Sequence, residues 1–352
     1  MLSTSAVLVE TFATPSYRAG GNLVMDFVSR PTRQPKWEAW SMEHLVHERV
    51  MALRNTIDPS TLQNYSSSLN SYLAFTRLHH LPTDPTEDSL SFFVVYMSRH
   101  ISPKSVSTYL SGICQQLEPF FPEVRQIRHS KLVRKTLQGC LKMYSLPARR
   151  KEPLAVHHLQ SIVSSFESQV PSHDDLLFLS MLITGFSALL RLGELSFPDD
   201  TSIRDWRKIT RRASVWMTDD QYQFTLPFHK ADRLFTGNEV LVQQTTRLLN
   251  PIFHFKRYLA SRDRLLPLLS PLWLRSNGAV PTRSFFIRRL RVFLPSSFCG
   301  QSIRARGATW LAEQGVSPSL IQAMGRWSSD AFLIYIHKNP ALLISLVFPH
   351  AT

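Results

Sequence analysis

Residues 301–340 read QSIRARGATWLAEQG, VSPSLIQAMGRWSSD, AFLIYIHKNP. Their spacing predicts three helices with short breaks. From Arg304, the residues Ala308, Leu311 and Ala312 share one face, and Gly315 is placed to end that helix. Ser317 and Pro318 supply an N-cap and a first helical position for a second helix, which Gly325 closes. Ser329 caps a third, with Ala331, Phe332 and Tyr335 on one face.

Upstream of this stretch lie two more boxes. GFSALLRLGELSFPD places Arg191 at the end of an almost wholly apolar segment, Asp175 to Leu190. Such a segment is a buried central helix. A simple i,i+3 pair of Arg191 with Glu194 is one reading of that box. Further on, ASVWMTDDQYQFTLPF switches to period two: Tyr222, Phe224 and Leu226 alternate after an Asp219-Asp220 turn, which predicts a hairpin. Lys230 follows in PFHKADRLFTG, before a third strand at Val240, Leu241 and Val242.

Taken in order, these boxes resemble the catalytic domain of tyrosine recombinases of the phage-integrase type. The wording GATWLAEQGVSPSLIQAMGRWSSDAFLIYI is especially similar to Crypton-type recombinases of eukaryotic mobile elements. The resemblance spans roughly residues 55 to 340. It implies catalytic roles for Arg191, Lys230, Gln301, Arg304, Trp327 and Tyr335. Tyr335 would be the nucleophile, Arg191 and Arg304 a phosphate clamp, and Lys230 the general acid. Two departures stand. Gln301 occupies the family's usual His position, and Trp327 lies eight residues before Tyr335 where many members have nine, which makes Arg326 a rival for that place.

The chain has 352 residues, 40 Lys and Arg against 26 Asp and Glu, and a formal net charge of +14. That excess suits a polyanionic partner. No acid occurs between Glu123 and Glu152 or between Asp263 and Glu313. These two basic blocks suit two halves that both face phosphate. Candidate DNA contacts are Arg128, Lys131, Arg134, Lys135, Arg149, Arg150, Lys151 and Arg306. Cys114, Cys140 and Cys299 lack metal-ligand spacing and read as buried small hydrophobes in a reducing compartment. There is no metal constellation, no Gly-rich phosphate loop and no apolar run long enough to span a bilayer, so no metal, no cofactor and no membrane are expected. His229 and His254, without arranged partners, read as structural.

The expected fold is mainly α with a small antiparallel β-sheet. An all-helical core-binding domain would join a mixed α+β tyrosine-recombinase catalytic domain. The expected division is a flexible arm at 1–40, the core-binding domain at 41–147, a basic linker at 148–153 (within SLPARRKEPL), the catalytic domain at 154–340 and an apolar tail at 341–352. Helix starts are predicted at Asp58-Pro59, Thr86, Ser102-Pro103 and Ser130. The expected apolar stripe of the first carries Leu62, Tyr65, Leu69, Tyr72 and Leu73, and that of the last Leu132, Leu137 and Leu141. The tail ALLISLVF has two readings, folding back on its own domain or docking on a neighbouring protomer.

The resemblance therefore implies a site-specific recombinase or integrase of a mobile element, acting in the nucleus. It would bind double-stranded DNA as a dimer on a site and a tetramer at synapsis, and break strands through a 3′-phosphotyrosine. Two alternatives stand beside it: a cleavage-deficient DNA-binding descendant, suggested by Gln301, and a type IB topoisomerase-like enzyme.

Overall fold

The computed structural model describes residues 38–54, 56–146, 154–167, 170–229, 232, 235–243, 249–298 and 300–329. Lys230, Tyr335, Arg149, Arg150, Lys151, Cys299, the arm up to residue 37, the expected linker and the expected third helix after Ser329 lie outside these residues. The chain divides into two compact units, Met1–Thr61 and Leu62–Thr352. In the first, α1 (Met42–Arg54) exposes residues 42–53, among them Met42, Leu45 and Leu53.

The helices that follow are α2 (Pro59–Leu78), α3 (Glu87–His100), α4 (Pro103–Leu117), α5 (Val124–His129) and α6 (Lys131–Tyr144). Their starts follow the local chemistry. The Thr86 hydroxyl accepts from the Ser89 amide, the Ser89 hydroxyl accepts from the Thr86 amide, and Glu87 and Asp88 sit in the first turn of α3. Ser130 caps α6 through the Val133 amide. The helices close on one core of Tyr72, Phe75, Leu90, Phe93, Val106, Leu110, Ile113, Val124, Val133 and Cys140. Two expected stripes hold in part, with Leu69, Tyr72 and Leu137 in or against the core. Leu62 and Leu132 are exposed, while Phe75 and Val133 are buried. On α6 the core-facing row is Val133, Leu137 and Cys140, so Leu137 is as expected while Val133 and Cys140 stand in for Leu132 and Leu141. Cys114 and Cys140 are buried free thiols, as expected.

A separate and larger core begins at Leu154. It is built from α7 (Val156–Ser165), α8 (His173–Ser187), the short α9 (Leu192–Leu195), the strands β1 (Trp216–Met217), β2 (Gln221–Leu226) and β3 (Asn238–Gln243), then α10 (Pro251–Leu265) and α11 (Arg283–Phe293). The last two described helices are α12 (Gly300–Glu313) and α13 (Pro318–Gly325). The three strands form one antiparallel sheet in the order β1-β2-β3. Register pairs Met217 with Tyr222 and Phe224 with Val240, so the residues of β2 alternate between buried and half-buried as period two requires. Tyr222 stacks on Phe255 at 3.9 Å and shares a 2.7 Å hydrogen bond with the Thr184 hydroxyl, which locks the sheet to α8.

Three arginines of the second basic block are paired with acids. Arg289 pairs with Asp175, Arg275 with Asp174, and Arg306 makes two 2.8 Å bonds to Glu313. The balancing acids of the first two come from the N-terminal turn of α8, far away in sequence.

His254 on α10 is buried, and burial pulls its pKa down to about 4, with Arg257 adding to the shift. An unfolded chain binds that proton near the ordinary value of about 6.5. Between these values the unfolded state holds more protons, so stability falls as pH falls. Going from pH 7 to pH 5 in urea titrations should cost about 2 kcal/mol more in the native sequence than in His254→Leu. An equal loss in both proteins would show that His254 protonates freely in the folded state.

Candidate active site

The site starts at the end of α8. That helix is capped by Ser172 and Asp175 and is buried along nearly its whole length. Its exit is abrupt: Leu189 takes a left-handed φ of 52°, although it is not glycine. Burial of its side chain with Ala308, Leu311, Ala312 and Ile321 offsets that strain. Arg191 follows in extended conformation as the N-cap of α9. Its backbone amide donates to Glu194 Oε2 at 2.8 Å and its Nη1 donates to Oε1 at 2.9 Å. The i,i+3 pair is therefore present, and it fixes the guanidinium while leaving the Arg191 side chain 31% exposed.

Arg304 lies on α12, and close packing at two glycines carries the helix past the Arg191 loop. A Cβ on Gly300 would press on Leu192, and one on Gly307 would strike the carbonyl of Phe186. Arg304 is buried, donates through Nη2 to the carbonyl oxygen of Gly325, and lies 4.1 Å over the Trp327 ring. That stacking is a cation–π contact. The Trp327 ring rests directly on Gly325, where any side chain would overlap it. Gln301 falls in the first turn of α12, and its side chain is outside the described structure.

The turn after α13 completes the arrangement. The N-cap Ser317 and Pro318 start the helix as expected, and Gly315 ends α12 with a φ of 79°. Gly325, expected to close α13, is its last helical residue. The left-handed cap is Arg326, at φ 52°. Its Nη2 donates to the Ala188 carbonyl oxygen at 3.3 Å and lies 3.7 Å from Glu194 Oε2. Burial pulls the Arg326 pKa down, Glu194 opposes that and Arg191 reinforces it.

His229, read from sequence as merely structural, belongs to this neighbourhood. It is buried and feels the charges of Arg326, Glu194, Asp232 and Arg191; burial, the largest influence, lowers its pKa. It bridges to Asp232, whose carboxylate accepts from the Thr236 and Gly237 amides. Lys230, next in the sequence, lies outside the described residues. Neither His229 nor Arg326 carries a spacing signal that singles it out, apart from the nine-residue interval from Arg326 to Tyr335.

The remaining candidates separate. Lys131, Arg134 and Lys135 lie on the exposed face of α6, and Arg128 beside them donates to the Ser107 carbonyl oxygen at 3.3 Å. Arg306 is held by Glu313.

No protein-family model and no curated protein matches the sequence. Solved structures do. The XerH site-specific recombinase bound to palindromic difH substrate, in a post-cleavage complex, matches with a TM-score of 0.50 at 14% identity, over 76% of this chain and 73% of its own. The Tn1549 transposon integrase in complex with transposon right end DNA matches with a TM-score of 0.51 at 14% identity, over 88% of this chain and 99% of its own. The fold is that of the tyrosine recombinases. The mainly helical chain and its small antiparallel sheet agree with the architecture expected from the sequence. Within this tyrosine-recombinase fold, the turn Gly325–Trp327 contacts both arginine boxes: Arg304 through Gly325 and Trp327, and the Arg191–Glu194 pair through Arg326.

Proposed function

We propose that the protein is a DNA strand transferase of the tyrosine recombinase type, organised as a helical core-binding domain and a catalytic domain that together clamp a duplex. One observation carries this reading: Arg191 and Arg304, far apart in sequence, are tied to the same three-residue turn. That turn lies just upstream of Tyr335. In the proposed reaction Tyr335 gives its phenol proton to solvent and its phenoxide attacks the phosphorus of a phosphodiester, forming a 3′-phosphotyrosine and breaking the bond to the 5′-oxygen, which takes a proton from the Lys230 ammonium. Two guanidinium forks suit the charge that grows on the non-bridging oxygens. The second transfer reverses the first, so the bond energy is retained.

Arg128 and the exposed α6 face support phosphate contacts on the core-binding side. The wording of residues 307–336 supports a Crypton-like mobile element and a nuclear site of action. Both solved structures of similar fold hold DNA, which supports DNA as the partner of this chain. Gln301 favours one second reading, a descendant that binds DNA without cutting it, because an amide donates to phosphate but moves no proton.

A pool of nicked duplexes with randomised sequence, trapped with purified protein and resolved in SDS, tests the proposal. An adduct mapped by peptide mass to Tyr335 is expected. Duplex binding with no adduct would favour the second reading, and an adduct on another residue would remove Tyr335 from its role. An adduct that relaxes supercoils without pairing two sites would point to topoisomerase-like action. Replacing Arg134 and Lys135 together by Gln should flatten the log–log salt dependence of binding by about one to two units. An unchanged slope places those side chains away from the duplex.

A further inference from the structure

Glu194 is shared by two guanidinium groups. Arg191 holds it through Nη1 at 2.9 Å and through its backbone amide, while Arg326 approaches from the end of α13 to 3.7 Å. The side chains of Glu194 and Arg326 are only 5% and 9% exposed, whereas that of Arg191 is 31% exposed. The Arg326 Nε has no hydrogen-bond partner among the described residues. One carboxylate cannot neutralise two cations, so the trio keeps a net positive charge, and its exposed member is Arg191.

The backbone adds a second argument. A left-handed residue after a helix is ordinarily glycine, since a Cβ there crowds the backbone. Arg326 accepts that cost and the desolvation of its guanidinium. Part of the return is local, through the carbonyl oxygen at the C-terminal end of α8. The rest concerns Arg191. Alone with Glu194, it forms a neutral pair whose carboxylate competes with any phosphate. A second cation on the same carboxylate weakens that competition.

We propose that Arg326 is a positioning residue that shares Glu194 and so leaves the exposed edge of Arg191 free to take the scissile phosphate. The proposal rests on the phosphate-clamp reading above. It makes Arg326 act through Glu194 rather than on the DNA.

The test is a double-mutant cycle on the full chain with Arg326→Gln, Glu194→Gln and both together. Rates are read by single-turnover adduct formation on duplexes recovered from the pool. Arg326→Gln should slow cleavage about tenfold while duplex affinity stays within about twofold, and the same change should cost little once Glu194 is Gln. Arg326→Lys should recover part of the rate, because charge is kept and the fork is lost. It also serves as the readable variant if Arg326→Gln melts early. An equal loss in both backgrounds, or no loss, overturns the proposal.

A second readout needs no cleavage. Inorganic phosphate should raise the melting midpoint of the native chain, fail to do so for Arg326→Gln, and do so again for the double variant. An equal rise in the native chain and Arg326→Gln overturns the proposal. Failure of the native chain to form any adduct would instead count against the strand-transferase reading, with the phosphate series still deciding the role of Arg326.

Discussion

Arg304→Ala should slow phosphotyrosine formation by about a thousandfold while changing duplex affinity by less than about tenfold. A bound phosphodiester already carries charge, but the charge on its non-bridging oxygens grows only during transfer. A preformed fork aimed there stabilises the transition state more than the ground state. Arg304 is preformed because it is buried, bonded to the Gly325 carbonyl and stacked on Trp327. Lysine keeps the charge but matches neither the fork nor the stack, so Arg304→Lys should recover little of the rate. Single-turnover cleavage and gel-shift affinity, measured on the same duplex, check both variants. Equal losses in rate and affinity would make Arg304 a DNA-holding residue rather than part of a clamp on the transition state.

Gly307→Ala should destabilise the protein by about 3 kcal/mol, at the upper end for an added methyl group in a packed core. Here α12 crosses α8 so closely that a Cβ would run into the Phe186 carbonyl and stand 2.6 Å from Leu189 Cδ2. Neither neighbour yields easily. Phe186 is on a helix packed into the main core, and Leu189 is fixed in a left-handed conformation with its side chain buried. The displacement would also reach Arg191, two residues beyond Leu189. Urea unfolding gives the loss directly, and a change below about 0.5 kcal/mol would mean that the two helices stand further apart than described.

Local chemistry made much of this fold legible before any coordinates. Thr86, Ser130 and Ser317 cap helices at the positions their residue types favour, and the alternation of Tyr222, Phe224 and Leu226 lies in a strand. Errors arose where a pattern has two acceptable phases. Leu132 and Val133 are both apolar, and only tertiary packing puts Val133 inside. A charge count along the chain also hides some pairing: the acids that hold Arg275 and Arg289 are supplied by another helix. The order of the boxes singles out Arg191 and Arg304, and the fold brings both to the turn at Gly325–Trp327. The sharing of Glu194 by Arg326 and the place of His229 were not legible, because each depends on a contact between segments distant in the chain.

The small core around Leu189, Ala308, Leu311, Ala312 and Ile321 is separate from the large one that encloses α8. Protection against amide exchange should therefore be graded, with α13 exchanging through local openings and α8 only through global unfolding. The turn joining the two arginine boxes sits on the weaker layer. Mild warming or dilute denaturant would let that turn go while the main helices persist, so the proposed strand transfer would fade before any loss of helical circular dichroism.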